Sequence, residues 1–143
     1  MQKKYKGGIY NTKSFPTIIL DKNPEMLVNR SSTYEKKGIK LFDEYKYFAA
    51  IKDLDKAIEI DPKNSSAWDF RGRSKYCLKQ YEEAIIDLDK SINLDPGNAT
   101  AWYCRGKSKF YLEHYEEAVI DLDKSIELDP KNSIFCKEGG NCK

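Results

Sequence analysis

DLDKSI stands at residues 87–92 and again at 121–126, and DLDKAI stands at 53–58. The step from each copy to the next is 34 residues. Working outward, Gly38, Gly72 and Gly106 keep the same step, as do Tyr47, Tyr81 and Tyr115, and Ala50, Ala84 and Ala118. So do Asp61-Pro62, Asp95-Pro96 and Asp129-Pro130, and Trp68 with Trp102, with Tyr34 at the corresponding place before them. A period of this length bearing helical patterns means stacked units that share one continuous core. It fixes an architecture and says much less about a partner.

Each unit reads as two helices. Over 82–95, Ala84, Ile85, Leu88, Ser91 and Ile92 recur at steps of three and four, which makes one helical face. Asp87, Asp89, Lys90 and Asn93 lie opposite and are expected to be solvated. Asp95-Pro96 ends the helix, because proline disfavours helical geometry in the residue before it. Residues 67–79 form the partner helix, with Trp68, Gly72 and Ser74 spaced to face inward. Gln80-Tyr81 leaves room only for a tight antiparallel turn. Gly72 and Ala84 remove bulk where the helices meet, and burial of the Trp68 ring is worth roughly 2–3 kcal/mol.

The run from Trp68 through Gly72, Tyr81, Ala84 and Ile92 to Pro96 resembles a tetratricopeptide repeat, as do 31–62 and 99–130. The resemblance covers residues 31–132, about seventy per cent of the chain, and is specific for fold. It implies an all-α, right-handed α-solenoid of three units, 31–64, 65–98 and 99–132. The leucine usual before the glycine in this family is replaced by Lys37, Arg71 and Arg105, which are expected to pair with the nearby Asp rows.

Charge and cysteines bound the function. With 25 basic and 23 acidic residues, the net charge of +2 gives no bulk attraction to nucleic acid or membrane. First helices are basic (Arg71, Arg73, Lys75; Arg105, Lys107, Lys109) and second helices acidic (Asp53, Asp55; Asp87, Asp89; Asp121, Asp123). The leading expectation is solvated faces with pairing between helices; the functional one is a surface that prefers acidic partners. No stretch reaches the roughly 18–20 apolar residues needed to cross a bilayer. Cys77 and Cys104 stand out of register on adjacent first helices, Cys136 and Cys142 have no histidine near them, and no metal pattern results. His114 falls at a helix–helix turn as an exposed bystander. Reduced thiols in a cytoplasmic protein are expected, or a secreted protein if the cysteines prove oxidised.

The two ends depart from the repeat. Residues 1–30, interrupted by Gly7-Gly8, Pro16 and Pro24, are expected to form an irregular arm with a short β-prone run at 17–20. This arm either caps the first helix pair or docks on a neighbouring subunit. Residues 133–143 begin a fourth unit in phase, with Gly140 34 residues after Gly106. The outer side of helix 116–129 is thus expected to lack a cover unless this tail or another molecule supplies one.

In the family that this chain resembles, first helices line a concave groove. By register it displays Glu35, Ile39 and Phe42, then Asp69, Phe70, Arg73 and Tyr76, then Tyr103, Lys107, Phe110 and Tyr111. Phe70, Arg73, Tyr76, Tyr103, Lys107 and Phe110 are the expected contacts for a protein or peptide partner, acidic or aromatic-rich. Family members that grip the C-terminal carboxylates of heat-shock chaperones use Lys, Asn and Arg donors. The matching positions here hold Glu35, Ile39, Phe70, Thr100 and Cys104, so that activity is not expected. Paired aspartates two residues apart point in different directions, and no phosphate loop or histidine-activated nucleophile is present. A non-catalytic interaction module without cofactor or metal follows, with nucleic acid a distant alternative. The competing reading is a structural subunit that self-assembles end to end through its arm and its uncapped last unit.

Overall fold

The computed structural model of the protein describes residues 23–132. Six α-helices follow in order: α1 (Pro24–Asp43), α2 (Tyr47–Ile60), α3 (Ser65–Cys77), α4 (Tyr81–Leu94), α5 (Ala99–Tyr111) and α6 (Tyr115–Leu128). A 3-10 turn at Pro130–Asn132 ends the described chain, and no strand occurs among these residues. Packing is densest within α1/α2, α3/α4 and α5/α6, and successive pairs join through α2/α3 and α4/α5. The result is an all-α solenoid of helical hairpins. The run at 17–20, the docking of the arm, Cys136, Cys142 and the in-phase tail lie outside the described residues.

Helix ends sit within two residues of the sequence expectation except at the start. α1 begins at Pro24, inside the stretch read as an irregular arm. Pro24 opens the helix instead of interrupting it, because its missing N–H would be unsatisfied in the first turn anyway. Asn23 caps it by accepting from the Glu25 N–H at 2.9 Å. Asn64 and Asn98 cap α3 and α5 in the same way, accepting from Ala67 at 3.0 Å and Ala101 at 3.2 Å. Each tight turn inside a hairpin places a non-glycine residue in the left-handed region: Tyr45, Lys79 and Glu113, with φ of 62°, 64° and 66°. That conformation closes the turn by bringing the Gln80 N–H to the Lys75 carbonyl at 2.8 Å, and likewise His114 to Lys109.

The hairpins close where the sequence removed side chains. A Cβ on Gly72 would stand 2.7 Å from Leu88 Cγ and 3.3 Å from the Ala84 carbonyl oxygen. Gly38 meets Leu54 in the same manner, and Gly106 meets Leu122. A serine bond also crosses each hairpin, but its direction changes. Ser91 and Ser125 on the second helices donate to the Ser65 and Ala99 carbonyls at 3.2 and 2.9 Å. In the first hairpin Ala57 has no hydroxyl, and Ser31 on α1 donates to the Ala57 carbonyl instead, at 2.9 Å.

One expectation is corrected. Asp87 and its equivalent Asp121 are not solvated; they are 1% and 2% exposed. Arg71 forks onto Asp87 with two bonds of 2.8 Å, and Lys75 adds a third contact at 2.9 Å. Arg105 and Lys109 repeat this around Asp121. The paired charges make the burial tolerable, since a buried carboxylate without such partners is costly. The expected pairing of Arg71 and Arg105 with the aspartate rows is present, and it is internal.

Candidate functional site

The ion pairs sort the cations of the first helices. Arg71, Lys75, Arg105 and Lys109 are committed to aspartates of the second helices. Arg73 and Lys107, two residues beyond the committed arginines, point to the other side, onto the shared face of α1, α3 and α5. Arg73 lies 4.8 Å from the ring of Phe42 on α1 and 4.4 Å from that of Phe70 on α3. Those two rings meet edge to face at 5.3 Å. Lys107 stands 5.6 Å over Phe110 and 5.5 Å over Tyr111. Cations held over ring faces this way are oriented while remaining open to an incoming anion.

The six residues singled out by sequence divide into two groups. Phe70, Arg73 and Lys107 are half-buried on this face and Phe110 is 46% exposed. Tyr76 and Tyr103, at 6% and 4%, sit in the core around Leu88 and Ile92. Tyr111 is among the residues expected on the groove by register, and Tyr81 is not. Tyr81 of α4 stacks on Tyr111 of α5 at 4.9 Å, and with Tyr76, Cys77 and Lys79 they line a pocket of about 330 Å³. Tyr81 belongs to a tyrosine that recurs at each 34-residue step, which was the available signal. A groove lined by first helices does not include it, because it starts a second helix.

Asp69 is the chemically odd member. It is 3% exposed, its Oδ2 lies 3.4 Å from Arg73 Nη1, and its Oδ1 has no hydrogen-bond partner. At the equivalent place in the first hairpin, Glu35 accepts from Asn64 Nδ2 at 2.7 Å. Asp69 is one methylene shorter. Burial pushes its carboxyl above the usual range, against the opposing pull of Arg73 and Asn98. Cys104 is buried and Cys77 half-buried, and burial pushes the Cys77 thiol up, away from its reactive form. His114 is exposed at the start of α6, with Nδ1 3.7 Å from Glu117. Among the described residues no group of acids, histidines and cysteines is placed to hold a metal ion. None of the described helices is long and apolar enough to cross a membrane.

Residues 43–125 match the family described as anaphase-promoting complex, cyclosome, subunit 3, itself of tetratricopeptide-repeat type. The chain belongs to the tetratricopeptide-repeat family. Among solved structures, this repeat protein is similar to the first TPR of Spaghetti (RPAP3) bound to the HSP90 peptide SRMEEVD. That likeness has 30% identity, a TM-score of 0.69, and covers 73% of this chain and 82% of that one. The second TPR of the same protein, bound to the same peptide, matches at 26% identity and a TM-score of 0.69, covering 71% and 94%. The Arabidopsis OM64 TPR domain matches at 24% identity and a TM-score of 0.71, covering 74% and 88%, and shows the fold alone. No curated protein matches the sequence.

Proposed function

We propose that the protein is a non-catalytic interaction module whose α1/α3/α5 face holds a peptide or helix of a partner protein. The observation that carries this reading is the pair Arg73 and Lys107. They recur at one step of the repeat, stay out of the ion pairs around Asp87 and Asp121, and lie over aromatic rings. Phe70, Arg73, Lys107 and Phe110 are the contacts, with Tyr76 and Tyr103 in the core. Two aromatic-backed cations favour an acidic partner with an apolar or aromatic anchor. Similarity to domains solved with HSP90 peptides supports peptide binding as such. The carboxylate-gripping mode is not proposed, because Glu35, Ile39, Phe70, Thr100 and Cys104 supply no cation.

The test is a panel of acidic, aromatic-containing peptides with blocked termini, measured against the chain and an Arg73→Glu, Lys107→Glu variant. The variant should lose binding by about tenfold or more, and Lys107→Glu alone, which leaves the Arg73–Asp69 contact in place, should weaken binding with helicity and melting unchanged. Equal binding by both proteins would reject the site. End-to-end self-assembly is supported by one observation, the uncovered outer side of α6, where Ile126 is 46% exposed. Mass by light scattering across a wide concentration range decides it: a constant monomer mass removes that reading.

A further inference from the structure

One carboxylate lies beside a cation of the α1/α3/α5 face. Glu35 and Ile39, Asp69 and Arg73, and Tyr103 and Lys107 stand at equivalent places on the three first helices. Only α3 sets an acid one turn before a cation there. Glu35 precedes an uncharged residue and accepts from Asn64 Nδ2 at 2.7 Å. Asp69 is 3% exposed and meets Arg73 Nη1 through Oδ2 at 3.4 Å, while its Oδ1 has no hydrogen-bond partner. Asp87, buried to the same degree, has the two-bond fork of Arg71 at 2.8 Å and Lys75 at 2.9 Å. The Asp69 pair is the single, longer contact of the two.

The Arg73 guanidinium is shared between that carboxylate and the rings of Phe42 and Phe70, at 4.8 and 4.4 Å. One contact to Asp69 leaves most of its N–H donors for an incoming anion. The other groups that act on Asp69 come from the turn into α5, where Asn98 favours its charge and Asp95 opposes it. The carboxylates of α2 and α4, Asp55 and Asp87, are taken by Arg71 and Lys75. On α1 Glu35 is bound to Asn64, and α5 brings Tyr103 in register.

We propose that Asp69 is a positioning residue that holds Arg73 for an anionic group of the partner, and that this group binds together with a proton on Asp69. The inference rests on the reading of the α1/α3/α5 face as a peptide site. An anion at the guanidinium puts two negative charges beside one positive charge, and like charges that close do not both stay ionised. The carboxylate that yields is the buried one, which water does not solvate. The proton comes from solvent, and the unpartnered Oδ1 is free to receive it. Burial already pushes this carboxyl in the same direction, above the usual range. The sign of the linkage follows. Binding raises the Asp69 pKa further, so affinity is highest below the value in the free protein and falls as pH rises to the value in the complex.

The test is titration calorimetry of the full chain with a peptide of alternating cysteic acid and phenylalanine, blocked at both ends, from about pH 5 to about pH 8. The sulfonates stay charged throughout, so only the protein titrates. The intact protein should bind less tightly as pH rises, by up to about tenfold per pH unit where the change is steepest. It should also take up a proton, read as a binding heat that varies with the ionisation enthalpy of the buffer; this readout needs no variant. Asp69→Asn keeps the shape without the charge and should bind with a flat pH profile and no proton uptake, its circular dichroism unchanged. Binding by the intact protein with a flat profile and no uptake overturns the inference and leaves the peptide site standing. The same slope in Asp69→Asn overturns it in favour of another titrating group. No binding by either protein at any pH rejects the peptide site and the inference with it.

Discussion

The outer side of α1 and the outer side of α6 bound the described helices, and they carry different chemistry. Where internal first helices carry buried Ala67 and Ala101, α1 carries exposed Thr33; where they carry buried Ser74 and Ser108, it carries exposed Lys40. Its Lys36 and Lys37 are exposed as well. At the other end α6 keeps the apolar residues of the internal second helices, with Val119 and Ile126 facing out. The first end is built for water, and the second keeps the surface of a joint. A repeat therefore dictates what lies between units, while the few residues that break its identity dictate what each end meets.

The comparison predicts unequal costs for equivalent substitutions. Arg105→Leu leaves Asp121 buried with Lys109 as its remaining cation, and should cost about 3 kcal/mol in urea unfolding. Lys37→Leu at the α1 end, where the lysine is exposed, should cost less than about 0.5 kcal/mol. Equal losses would mean that the ion-pair rows are not what distinguishes interior from end. Next in size, Ile92→Ala should cost about 2–3 kcal/mol and Ile126→Ala less than about 1 kcal/mol, by the same measurement. If Ile126→Ala costs as much as Ile92→Ala, something already covers α6 in solution. Gly72→Leu should cost about 1–3 kcal/mol through overpacking against Leu88, read as a lowered melting temperature.

Two smaller effects sharpen the picture inside the stack. Asp69 has a folded pKa above its unfolded one, so the folded state holds its proton longer and stability falls as pH rises past the ordinary aspartate range. Asp69→Asn should stabilise the protein at pH 7 and make no difference near pH 3, where both states are protonated. A gain of equal size at both pH values would exclude the carboxyl's ionisation as the cause. Lys79→Gly relieves a left-handed residue and should add less than about 1 kcal/mol. No gain in melting temperature would mean that the Lys79 side chain contributes as much as the strain removes.

Hairpin count, glycine contacts and the pairing of Arg71 and Arg105 were legible because each recurs at a fixed step. The misreadings share one cause. Asp87 falls opposite the apolar stripe of α4, so a single-helix pattern assigns it to water; in the fold Arg71 and Lys75 of α3 cover it. Tyr76 and Tyr103 lie in register with the groove, yet the neighbouring hairpin buries them. Pro24 was read as an interruption because proline ends helices more visibly than it starts them, and only the cap at Asn23 shows which role it has.

The sequence by itself determined the period, the helix pairs, the family and the small residues at each crossing, because periodicity and steric size act locally and repeat. Only the tertiary structure decided which charges are buried, which aromatic rings are buried and which are exposed, and that the outer sides of α1 and α6 differ. Those depend on what a neighbouring helix covers, and the pattern of one helix does not contain its neighbour.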